Sequence, residues 1–159
     1  MQIPDLDCLE LWCRAIAAAE CSLAGVALPA IRFRRRAANR RVRWLPDKRG
    51  RYRSRTTGER YRKTFQRLPG KPPLATGRTN EVAGIRVMVG TDFDDARLVF
   101  LHELAHWLVG PRHAHDVAFW QRAWDLYEKY GIDDTYAVER EGSYRKGALL
   151  EYRRRRIGQ

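Results

Sequence analysis

The segment TDFDDARLVFLHELAHWLVGP, residues 91 to 111, constrains the fold more than any other part of the chain. Thr91 or Asp92 offers a side-chain oxygen to cap a helix, Asp94 and Asp95 place negative charge at its positive end, and Gly110 and Pro111 stop it. Between these signals Phe93, Ala96, Val99, Phe100, Leu101, Leu104, Trp107 and Leu108 leave scarcely a polar side. A helix apolar nearly all round belongs in an interior, so the remaining elements must be built around it. His102, Glu103 and His106 interrupt the apolar run. Burying two imidazoles and a carboxylate among aliphatic side chains costs several kcal/mol unless something organises them.

What surrounds this helix reads as an α+β arrangement. Residues 6 to 26 give an amphipathic N-terminal helix, with Leu9, Trp12, Cys13, Ile16, Ala19 and Leu23 on one face and Pro29 beyond its end. Its apolar stretch reads as a helix and not as a secretory leader, because Asp5, Asp7 and Glu10 precede it and Glu20 breaks it. From 31 to 67 the period changes to two: Ile31 and Phe33, Val42 and Trp44, then Tyr61 and Phe65 alternate with basic residues, which predicts two to four strands. LPDKRG supplies a turn between the better ones. One face of such a sheet would be apolar and the other cationic. Residues 68 to 80, rich in Pro and Gly, read as a loop, and GIRVMVG reads as a strand at the edge of a sheet. After the central helix a short PRHAH loop leads into another helix capped by Asp116, with Phe119, Trp120, Ala123, Trp124 and Tyr127. A last helical stretch runs from about Thr135 to a basic tail at 153 to 159.

At 159 residues the chain suits one compact domain that can bury a core without staples. No apolar run approaches the roughly 18 residues of a membrane span. Cys8, Cys13 and Cys21 are odd in number and have no later partners, so they read as buried thiols in a reducing, cytoplasmic setting.

All four histidines, His102, His106, His113 and His115, fall between residues 102 and 115. His102 and His106, four apart, project from one helix face about one turn apart and can reach one ion. Glu103 is too close in sequence to be a natural third ligand, yet stands beside the open coordination position. This HExxH spacing serves a bound divalent ion that acidifies water while the glutamate takes its proton. A catalytic zinc uses three protein ligands. The spacing HExxHxxGxxH is not met, since Val109 and Arg112 occupy the Gly and His positions. His115, at the entry to the next helix, is favoured as third ligand. His113 is the alternative, and a downstream glutamate, Glu128, Glu139 or Glu141, is a further one. The group that would stabilise an oxyanion is not specified; Tyr136, Tyr144 and Arg112 are the candidates.

HELAH followed by a loop and a histidine in HxxxFW resembles the SprT-like metallopeptidases, and GP(RHA)HDVAF is similar to the GPHDxxF run of the related WLM group, with three residues inserted here. The resemblance covers about residues 85 to 130. It implies a small zincin-like domain: an N-terminal helix, a small antiparallel sheet whose edge strand pairs with substrate, the buried HExxH helix and a further helix after the third ligand. It also implies one catalytic Zn2+ and hydrolysis of proteins or peptides by activated water. Relatives akin to Spartan cut proteins bound to DNA. Some carry a C-terminal zinc ribbon, which has no counterpart here because no cysteine follows Cys21.

The net charge of +12 is regional. Sixteen Lys or Arg against Asp47 and Glu59 between Arg32 and Arg67 give a local +14 and leave the rest near neutrality. Clustered arginines, among them Arg34, Arg36, Arg41, Arg43, Arg51, Arg53 and Arg55, suit phosphate oxygens, and the interleaved aromatic rings could stack on unpaired bases. The expected function is a zinc-dependent metallopeptidase acting on protein or peptide, with DNA or another nucleic acid as a partner of the basic segment and no membrane partner. The competing expectation is a non-catalytic nucleic-acid-binding or assembly protein that keeps a structural metal site on the same scaffold.

Overall fold

The computed structural model describes residues 5–35, 40–67, 74–90, 92–142 and 146–157. The chain packs as two compact units, Ala37–Pro73 forming one and the flanking segments the other. The basic region at 31 to 67 is therefore divided: its first strand belongs to the larger unit and the rest forms the smaller.

In the larger unit, α1 (Leu6–Ala24) starts where the Asp5 carboxylate accepts from the Cys8 N–H at 2.8 Å and ends at Gly25, whose φ of 66° is left-handed. It buries Leu9, Cys13, Ile16, Ala17 and Cys21, whereas Cys8 is exposed. Glu20, which breaks the apolar run in sequence, is 1% exposed and held by Arg122, Lys129 and the Tyr130 hydroxyl. A buried carboxylate is tolerable only with such partners. The pairing fastens α1 to α3 (Val117–Lys129) and the turn after it.

Three strands form the sheet of this unit in the order β1 (Ile31–Arg35), β6 (Gly84–Val89), β5 (Thr76–Asn80). β1 runs parallel to β6 and β5 antiparallel, so the sheet is mixed where a purely antiparallel one is expected. GIRVMV is central, flanked on both sides, and not an edge strand. The edge facing α2 is β5, which lies inside the segment that reads as a loop; residues 68 to 73 of that segment lie outside the described residues. Thr-Gly-Arg-Thr-Asn carries no apolar alternation because its inward residues are small, for a reason that emerges at the site.

α2 (Phe93–Val109) begins with the Asp92 carboxylate accepting from the Asp94 and Asp95 N–H groups and ends at Gly110. Ala96, Leu98, Val99, Phe100, Leu101, Leu104 and Ala105 are all buried, which makes it the axis of the core. α1, β5, β6 and α3 all pack against it. α4 (Asp134–Gly142) and α5 (Lys146–Ile157) close the unit. The basic residues at 153 to 156 are not a free tail: they lie in α5. Arg155 bonds Asp125, Glu128 and Glu151, Arg154 bonds Glu151, and Arg156 pairs with Asp134.

The smaller unit is an antiparallel sheet in the order β2 (Arg40–Pro46), β4 (Arg60–Arg67), β3 (Tyr52–Arg53). The predicted turn is present: Gly50 N–H donates to the Asp47 carbonyl at 2.7 Å. The register sets Trp44 opposite Lys63 and Tyr52 opposite Tyr61 on one face, with Arg43, Arg53, Arg60 and Arg62 on the other. The first face is aromatic but not buried. Trp44 is 46% and Tyr52 47% exposed, their rings meet edge to face at 4.7 Å, and Lys63 Nζ lies over both.

Candidate metal centre

The four-residue spacing on α2 puts His102 and His106 on one face, with ring centroids 5.1 Å apart. The Asp116 cap, accepting from the Phe119 N–H at 2.9 Å, fixes where α3 starts and so where the residue before it, His115, points. His115 Nε2 lies 3.1 Å from His102 Nε2 and 3.2 Å from His106 Nε2, and the three side chains offer ligand atoms all within 4.8 Å of one another. The Phe119 ring stacks on His106 at 4.0 Å and lies 4.8 Å from both other imidazoles, while Trp120 backs His115 at 5.6 Å. HDVAFW thus supplies the third imidazole of the cluster and the apolar wall behind it.

The tautomer of His102 follows from what lies behind its ring. His102 Nδ1 is 2.9 Å from Glu141 Oε1, and Tyr127 donates its hydroxyl to the same oxygen at 2.8 Å. A carboxylate there holds the proton on Nδ1 and turns the Nε2 lone pair toward the other two imidazoles. Burial alone would raise the Glu141 carboxyl pKa, but bonds from His102 and Tyr127 and the charge of Arg140 hold it below its ordinary value. Burial, with His102 and His115 alongside, drives His106 down to about 4, so it is neutral at physiological pH. The Nε2 atoms of all three rings converge on one point at separations a shared cation would bridge. The donor set therefore fits a divalent ion.

His113 is elsewhere: its Nδ1 bonds the Asp116 carboxylate at 2.7 Å, on the exposed rim. Of the three glutamates considered as ligands, Glu128 pairs with Arg155, Glu139 is exposed, and Glu141 stands behind His102 instead of beside the shared point. Tyr136 gives its hydroxyl to Asp95 at 3.0 Å, Arg112 is exposed, and Tyr144 lies outside the described residues.

Glu103 is buried under β5. Thr79 donates its hydroxyl to Glu103 Oε2 at 2.6 Å and approaches the Glu103 carbonyl at 2.9 Å. Desolvation raises the carboxyl pKa above its ordinary value, and the Thr79 bond opposes that rise. Gly77 explains the composition of the strand: a Cβ there would lie 2.4 Å from Glu103 Cγ and 2.6 Å from Oε1. Only glycine lets β5 pass this close over the carboxylate. β5 is in turn anchored at its start, where buried Asp95 accepts from the Ala75 N–H and from Arg140 Nε at 2.7 Å, and Arg140 donates to the Ala75 carbonyl at 3.0 Å. An open cleft of about 770 Å³ runs between β5 and the end of α2, lined by Gly77 to Val82, Glu103, His106, Trp107 and His113.

The arginines singled out in the basic segment are divided between the two units. Arg34 lies on β1 of the larger unit, and Arg43, Arg51, Arg53 and Arg55 are exposed in the smaller one. Arg41 lies in β2, and Arg36 lies outside the described residues. Sequence reasoning missed Thr79, Gly77 and Tyr127. Only Tyr127 left a signal, as a hydroxyl in an otherwise apolar helix face. No helix among the described residues is long and apolar enough to cross a membrane. Comparison with known proteins found no family model, no curated protein and no solved structure that matches this chain.

Proposed function

We propose that the chain is a zinc-dependent peptidase, with His102, His106 and His115 as ligands and Glu103 as general base. The observation that carries this is the convergence of the Nε2 atoms of His102, His106 and His115, with His106 and the buried Glu103 lining an open cleft. Nitrogens about 2.0–2.1 Å from a tetrahedral ion stand roughly 3.3 Å apart, close to the 3.1 and 3.2 Å separations here. Among the described residues the group has three members and no fourth protein ligand, which leaves a position for water. Zinc in such a site lowers the pKa of a bound water to about 7.

The chain's own residues account for the rest. Glu141 and Tyr127 hold His102 in its ligating tautomer, and Phe119 and Trp120 exclude bulk water from behind the imidazoles. Glu103, with Oε2 held by Thr79, has Oε1 to take the proton of the attacking water and return it to the leaving amine. β5, an edge strand lining the cleft, offers unpaired backbone groups to an extended peptide.

The test is proteolysis of casein by the purified chain with added zinc, beside Glu103→Gln, with metal content measured for both. The expected result is loss of at least about 100-fold in rate with zinc retained, since the change removes a base and spares the ligands. Cleavage no faster than the Glu103→Gln background would refute the proposal and leave a metal-bearing binding protein.

A further inference from the structure

The solvent face of the mixed sheet carries an arrangement that folding does not ask for. Register sets Arg32 opposite Arg86 on one side and Arg78 opposite Arg86 on the other, so three arginines stand in one rank across β1, β6 and β5. All three are exposed, and Arg34, two places along β1 from Arg32, adds a fourth on the same face. The face is completed by Met88, Thr76 and Asn80 and bears no carboxylate. None of the four arginines has an ion-pair partner among the described residues. Like charges directly opposite one another destabilise a sheet, and threonine or valine would serve a strand better. Arg78 and Arg86 lie outside the basic segment of the sequence; only the pairing of strands reveals that they join Arg32.

We infer that this arginine rank binds the phosphate backbone of a nucleic acid. Neighbouring strands are about 4.8 Å apart, so the three side chains span about 10 Å of flat surface, enough to meet successive phosphates. Guanidinium groups pair phosphate oxygens two at a time and are more weakly hydrated than ammonium groups. An acidic protein would need apolar anchors for affinity, and this face offers only Met88, whereas a phosphate polymer needs charge alone. The rank ends at Arg78, on the strand that also lines the cleft beside Glu103. The site is independent of catalysis and holds whether or not peptide is cut.

The experiment is fluorescence anisotropy of a labelled single-stranded oligothymidylate titrated with the full chain in chelator, repeated over a range of salt, for the parent and for the triple variant Arg32→Gln, Arg78→Gln, Arg86→Gln. Each backbone contact on a single strand contributes about −0.7 to the slope of log affinity against log salt, so the variant should lose about 2 from the slope. Its thermal midpoint should equal or exceed the parent's, because like-charge repulsion is removed. If the triple variant melts lower, Arg86→Gln alone, the centre of the rank, should still lose about 0.7. An unchanged slope overturns the inference. So does displacement of the oligonucleotide by polyglutamate at equal charge, which would mark the face as a dock for acidic protein.

Discussion

Gly77→Ala is the sharpest probe of the candidate site, because it touches the base without touching a ligand. The added methyl would sit 2.4 Å from Glu103 Cγ, 2.6 Å from Oε1 and 2.8 Å from Cδ, where carbon atoms normally rest about 3.5–4.0 Å apart. Closing that deficit requires about 1 Å of movement. The carboxylate cannot simply swing aside, since Thr79 on the same strand holds its other oxygen. Nor can β5 easily retreat, since it is paired to β6 and bound through Ala75 to Asp95 and Arg140. Overpacking of this kind costs about 1–3 kcal/mol, or roughly 3 °C in Tm for each kcal/mol in a chain of this size. A reacting group displaced by about 1 Å loses about 100-fold in rate. The assay is kcat/KM for a fluorogenic peptide, with zinc affinity and thermal melting measured on the same preparation. A variant that cleaves at the parental rate, or that loses zinc before it loses rate, would refute the placement of Glu103 beneath β5.

His115→Ala should abolish tight zinc binding, while His113→Ala should leave it within about twofold, since that ring is engaged with Asp116; calorimetric titration of the two variants decides the third ligand. Glu141→Gln should weaken zinc affinity by about 10- to 100-fold through the orientation of His102, without altering the ligand count read from a cobalt(II) spectrum. The metal-free protein should lose stability on acidification: His106 titrates at about 4 when folded and about 6.5 when unfolded, so the unfolded chain takes up a proton that the folded one refuses. Stability should therefore fall as pH drops from about 6.5 toward about 4, by about 2 kcal/mol after allowance for partial solvent contact, and bound zinc should suppress the fall. A flat urea-denaturation profile across that window would contradict the part-buried, neutral His106 imidazole.

The central helix and the convergence of its histidines with His115 were legible because each rests on a local signal. Caps, a continuous apolar face and a four-residue spacing are all written within one turn of where they act, and the same holds for the Asp116 cap that delivers His115. β5 was hidden for a physical reason. Strands announce themselves through bulky alternating side chains, and here the inward positions are Gly77 and Thr79 because a carboxylate fills the space that such side chains would occupy. The mixed pairing of the sheet was hidden too, since β1 and β6 meet across about fifty intervening residues and direction is not encoded in either strand alone. The basic ending looked like a solvated tail because, beyond the local Glu151, its acidic partners Asp125, Glu128 and Asp134 lie in earlier helices. The arginine rank falls in the same class, as a property of neighbours brought together by pairing.

Two successive residues of α4 face different duties. Arg140 clasps the strand that walls the cleft, and Glu141 steadies the His102 imidazole of the histidine cluster. A shortened chain ending after α3 would retain every letter of the histidine pattern and still lack the brace that joins groove to cage. Substitutions along that one turn should disturb peptide recognition and ion retention together, so the smallest working unit is larger than the motif by which such a chain is first noticed.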